Sequence, residues 1–248
     1  MSGLRSCRVR GVNLAVGGGL AAQSGAAGSD NNREARPVRL SGLAGAPLTV
    51  IRQRIASLDV IFAIDDSESV HGPDGTDPWG ARNAACLSVI DLMHRYGGGR
   101  AGVVHWGDVA PASMALAPVP VHRGRLRREL GLQPVLGGTQ PAVALSRVRE
   151  LIRRTSSGRT LAVLLITDGQ DLGAGLGAAL GQLPARSVHL ILVDPSGDCW
   201  GQETAWRQLP WGSFTRLGNL ADRKRLASES GAVIARSVGL RPKRNPVS

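Results

Sequence analysis

Four short runs along the chain are apolar at nearly every position: residues 58–64, 101–106, 161–166 and 188–193. A strand with one wet face alternates apolar and polar residues. Runs without alternation predict strands covered on both faces, as in a parallel sheet. Between the runs the period changes. Cys86, Val89, Ile90 and Met93 follow helical spacing behind Asp77-Pro78, an acceptor and a proline that open a helix, and Gly97-Gly98-Gly99 closes it. Gln140-Pro141 opens a second helix. Its apolar face carries Leu145, Val148 and Ile152, and its polar face carries Arg149, Glu150, Arg153 and Arg154. A last helix is predicted over residues 221–238. Strands alternating with helices predict an α/β fold: a doubly wound, mostly parallel sheet with helices on both faces.

The pattern fades at both ends. Residues 1–46 are rich in Gly, Ala, Ser and Arg with little periodicity, and residues 241–248 are basic with two prolines, so both read as loose tails around a domain at 47–240. Arg5, Arg8 and Arg10 precede a mildly apolar stretch, but Gly17-Gly18-Gly19 breaks it, which weakens a secretory-leader reading. Three cysteines are too few for a disulfide framework, and without a strong leader the cytoplasm is the expected location. No apolar run is long enough to span a membrane.

The net charge of +11 changes the picture less than its size suggests. Only Lys224 and Lys243 are lysines, so arginine carries almost all the positive charge beside 33 glycines, a bias expected of GC-rich coding. Arg123, Arg125, Arg127 and Arg128 form one basic cluster, extended by Arg147, Arg149, Arg153 and Arg154. They read as solvated helix faces, with contact to nucleic acid as the competing use.

The chemistry lies at the ends of the predicted strands. The first runs into Asp65-Asp66-Ser67-Glu68-Ser69, the third into Thr167-Asp168-Gly169, and the loop Gly137-Gly138-Thr139 leads into a helix. In open α/β sheets ligands bind at the carboxyl ends of the strands. Asp65, Ser67, Ser69, Thr139 and Asp168 should therefore gather on one edge. All five are oxygen donors, which suits Mg²⁺ or Mn²⁺ and argues against zinc. Two carboxylates neutralise a divalent ion. Held largely through hydroxyls, such an ion stays electrophilic toward an outside carboxylate.

These motifs, in this order, resemble the von Willebrand factor A domain with a metal-ion-dependent adhesion site. The matching segments are Asp59 through Asp65 into Ser67 and Ser69, then Gly137-Gly138-Thr139, then Ile166-Thr167-Asp168-Gly169, with Val103-Val104-His105-Trp106 where that family has its second strand. Seventy residues separate Ser69 from Thr139 and 29 separate Thr139 from Asp168, spacings that fit. The resemblance implies that Ser67, Ser69 and Thr139 bind the ion directly, and that Asp65 and Asp168 act mostly through water. It also implies an antiparallel edge strand, for which residues 113–121 are the candidate. The implied function is a non-catalytic module that captures an acidic residue of a partner protein within an assembly. Two readings from other classes stand beside it: a Mg²⁺-dependent phosphohydrolase using Asp65 or Asp66, and a nucleic-acid binder using the arginines.

The chain departs from the family pattern at Asp66 and Glu68, acids at positions commonly neutral or small, and both are expected to face solvent. Gly72 and Pro73 replace the acids that a second cation site would need. His105 and His189 read as packing residues, Cys86 as a buried thiol, and residues 173–181 as a glycine-rich helix or loop. Trp200, Trp206 and Trp211 read as loop or core packing, with partner contact at Trp200 as the alternative.

Overall fold

In the computed structural model, residues 46–71, 75–77, 80–111, 113–154, 158–194, 201–218 and 223–240 are described. The two expected tails, apart from Ala46, lie outside them, as do Pro78 and Trp200. Six strands form one sheet in the order β3-β2-β1-β4-β5-β6: β1 Leu58–Asp65, β2 Arg100–Trp106, β3 Ser113–Pro118, β4 Thr160–Thr167, β5 Val188–Val193 and β6 Ser213–Leu217. Every pairing is parallel except β2 with β3, the antiparallel edge. The helices are α1 Leu48–Ala56, α2 Ala81–Arg95, α3 Val119–Glu129, α4 Pro141–Arg153, α5 Leu176–Gly181, α6 Glu203–Gln208 and α7 Arg223–Ser237.

The continuous apolar runs follow from burial on both sides. Val60, Phe62 and Ile64 of β1 belong to one core, with α1, α2, α3 and α7. Ile61 and Ala63 belong to a second, with α4, α5 and Trp206. Trp206 is fully buried and its ring stacks on Trp211 at 6.1 Å between centroids. Cys86 is a buried free thiol, pushed well above its ordinary range by burial. His189 is buried between Ser213 Oγ at 3.0 Å and Ser237 Oγ at 3.1 Å, and burial lowers it to about 4. Among the described residues no helix is long and apolar enough to cross a membrane.

Three expectations need correction. The edge strand stops at Pro118, and Val119 begins α3 with a proline in its first turn. Pro120 cannot donate to a sheet ladder, but its fixed φ suits a helix start. Helix α2 begins at Ala81 rather than at residue 78, with Gly80 as its cap at φ 62°. Asp77 still supplies the acceptor from four residues back, since its carboxylate takes the amides of Ala81 (2.7 Å) and Arg82 (3.0 Å). The arginine groups do not form one patch. Leu126 of α3 packs into the first core and Leu145 of α4 into the second, so the two helices cover opposite faces of the sheet. Arg123 and Arg127 pair with Asp91 of α2, and Arg147 with Glu150.

Candidate metal centre

Strands β1 and β4 are neighbours at the centre of the sheet, and the chain leaves them toward opposite sides. This is the topological switch point, where the carboxyl ends of the strands leave a crevice. Asp65 ends β1 and Asp168 follows β4 directly. Asp65 is fully buried, and its two carboxylate oxygens are separately engaged. The Ser67 amide donates to Oδ1 at 2.9 Å and the Thr167 hydroxyl to Oδ2 at 2.5 Å. The turn after β1 then brings the hydroxyls round. Ser67 Oγ lies 3.1 Å from Ser69 Oγ, and Ser69 Oγ donates to Asp168 Oδ2 at 2.6 Å. Four of the five residues thus form one hydrogen-bonded chain from Asp65 to Asp168.

The fifth, Thr139, is buried and lines the same cleft as Ser67 and Ser69. The cleft holds about 580 Å³, open to solvent, and Glu68, Gly137, Gly138, Gln170 and Asp171 complete its lining. The loop carrying Thr139 is tied down by backbone: Glu68 N–H donates to Gly137 O at 2.8 Å and Leu136 N–H to Asp66 O at 2.9 Å. Gly137 has φ 79°, a left-handed conformation that favours glycine, and the side chain of exposed Asp108 lies beside it.

The donor set suits a hard divalent ion. Burial, and next the charge of Asp168, raise Asp65 to about 6, against the smaller opposing effects of Arg82, Thr167 and Ser67. A buried carboxylate raised by burial and by the neighbouring Asp168 is what a cation would relieve. Among the described residues no group of three or more His, Cys, Asp or Glu could hold a metal, so a site here depends on its hydroxyls.

Three contributors escaped the sequence reading. Thr167 holds Asp65, Thr76 donates to Asp168 Oδ2 at 3.2 Å, and Asp108 packs on Gly137 and Gly138. Each is a common polar residue whose role appears only when loops meet. Glu68 is exposed as expected, but Asp66 is fully buried. Strand geometry gives the reason: Asp65 and Asp66 are consecutive, so they leave the sheet on opposite faces. Asp66 enters the side of α2, where His105 Nδ1 meets its Oδ2 at 2.6 Å. His105, expected only to pack, is therefore also a hydrogen-bonding partner.

The chain matches no protein-family model and no curated protein. Its fold is similar to those of several solved structures. The pilus adhesin SpaC from Lactobacillus rhamnosus GG aligns with 15% identity and a TM-score of 0.56, over 73% of this chain and 31% of the adhesin. The PilB minor pilin from Streptococcus sanguinis aligns with 12% identity and a TM-score of 0.56, over 76% of this chain and 63% of the pilin. A von Willebrand factor type A protein from Catenulispora acidiphila aligns with 15% identity and a TM-score of 0.53, over 73% of this chain and 43% of that protein. This chain therefore matches under two thirds of each of these proteins. At these identities the likeness establishes the fold, which is von Willebrand factor A-like.

Proposed function

We propose that this chain is a protein-binding module whose cleft holds Mg²⁺ or Mn²⁺ and captures an acidic residue of a partner within a multi-protein assembly. Ser67, Ser69 and Thr139 would hold the ion by their hydroxyls, with Asp65 and Asp168 supplying the balancing charge. Bound there, the ion supplies an electrophilic position to an outside carboxylate. The observation that carries this reading is the hydrogen-bonded chain from Asp65 through Ser67 and Ser69 to Asp168, at the switch point of the sheet. Thr167 and the Ser67 amide hold Asp65 in one orientation. Thr76 and the Gln170 amide do the same for Asp168. The residues therefore meet a ligand without first ordering themselves, which lowers the cost of binding.

The adhesin and minor-pilin neighbours are compatible with a protein-binding role. A phosphohydrolase reading finds less support, because Arg82, a cation behind the cleft, is buried and held by Asp77. Calorimetric titration of Mg²⁺ should give one site in the wild type. Thr139→Ala and Asp168→Ala should each weaken it by more than about tenfold. A wild type that binds no Mg²⁺, or variants that bind as it does, would refute the metal assignment.

A further inference from the structure

Directly behind the cleft lies a buried polar cluster that the cation reading does not use. Its centre is Asp66, fully buried, whose backbone and side chain touch four separate segments. Its amide donates to Trp106 O at 2.7 Å, at the end of β2, and its carbonyl accepts the Leu136 amide at 2.9 Å, just before Gly137. Its carboxylate meets His105 Nδ1 at 2.6 Å, and His105 Nε2 in turn reaches the Glu129 carbonyl at the end of α3, 3.1 Å away. The other oxygen, Oδ1, lies 3.2 Å from Nε2 of His71, on the turn that leaves Ser69. Arg82 at the start of α2 stands 4.0 Å from the same oxygen.

Two of these segments carry hydroxyls of the cleft. Ser67 and Ser69 lie between Asp66 and His71, so the carboxylate–imidazole contact closes the turn around them. Thr139 follows Leu136 and Gly137, which are bound to the backbones of Asp66 and Glu68. The carboxylate is hydrogen-bonded through Oδ2 to His105, and Oδ1 faces His71 in a contact without hydrogen-bond geometry.

From this geometry, and resting on the cation reading above, we infer that Asp66 is a positioning residue: it sets the cation affinity of the cleft by clamping the Ser67–Ser69 turn through His71 and β2 through His105. It does not face the ion. Its effect passes through shape, and the conservative amide should largely preserve it. Asn can accept from His105 and fill the same space beside His71, whereas Ala can do neither.

The test is Mn²⁺ binding, followed by electron paramagnetic resonance of the free ion, on the full chain. Asp66→Ala is expected to weaken binding about tenfold or more and Asp66→Asn by no more than about threefold, the range seen when partners of metal ligands are removed. His71→Ala should also weaken binding, and adding it to Asp66→Ala should cost little more, because the two act as one contact. His71 is on a turn and part-exposed, so that variant carries the test if Asp66→Ala does not fold. Equal losses in the Asn and Ala variants would show that charge acts rather than position, and would overturn the inference. So would wild-type affinity in Asp66→Ala, or in His71→Ala if only that variant folds, and either result would leave the cation reading intact. A wild type that binds no Mn²⁺ overturns both.

Discussion

Asp65→Asn should make the protein more stable, not less, when divalent cations are chelated at pH 7.5. The gain expected is about 2 kcal/mol. In the unfolded chain Asp65 loses its proton near 3.8; in the fold it does so at about 6. A group whose folded value is raised favours the folded state fully below its unfolded value. That contribution disappears as pH rises through the folded value. Above pH 6 the fold therefore carries an ionised Asp65 at a cost of about 3 kcal/mol, at roughly 1.4 kcal/mol per pH unit. Asn resembles the protonated acid and avoids most of that cost. It can still accept the Ser67 amide. Urea unfolding in chelator should show wild type and variant equal near pH 4 and diverging between pH 4 and 6. Mg²⁺ should then stabilise the wild type and leave the variant unmoved. A variant less stable than wild type at pH 7.5 in chelator would mean that Asp65 is not held in the electrostatic state described.

Arg82→Met should be among the most damaging single changes, costing about 3–5 kcal/mol. Arg82 is 2% exposed and donates from Nε to Asp77 Oδ2 at 2.8 Å. Met fills similar space, so the loss is electrostatic rather than a cavity. It leaves Asp77 and Asp66, both buried, without their cation. Asp77→Asn should be costly as well, because the Ala81 and Arg82 amides go to different carboxylate oxygens, of which Asn keeps one, and buried Arg82 loses its partner. Urea denaturation of both variants checks the account, and a Met variant within about 1 kcal/mol of wild type would contradict it.

The parts of the fold legible in the sequence are those where one residue pattern has one cause. β1, β4 and β5 are covered on both faces, so each reads as an unbroken apolar run and its place is evident. β6 is Ser-Phe-Thr-Arg-Leu, only half-buried along most of its length, and carries no such signal. α1 buries only Ile51 and Ile55, two residues one turn apart, too few to establish a period. The cleft was legible because its residues sit at strand ends and one loop, so sequence order alone brings them to one edge. Asp66 was not. Two adjacent acids look alike on paper, and the partners that bury this one, His71, Arg82 and His105, lie on three different segments. Thr76 and Asp108 were hidden for the same reason.

The central claim is that the cleft binds a partner through a divalent ion. It is tested most directly by affinity capture from native lysate with wild type and Asp65→Asn, each in Mg²⁺ and in chelator. The account predicts a protein retained by the wild type in Mg²⁺ and released by chelator, and absent with the variant under both conditions. Retention of the same protein in chelator, or by Asp65→Asn, would contradict it.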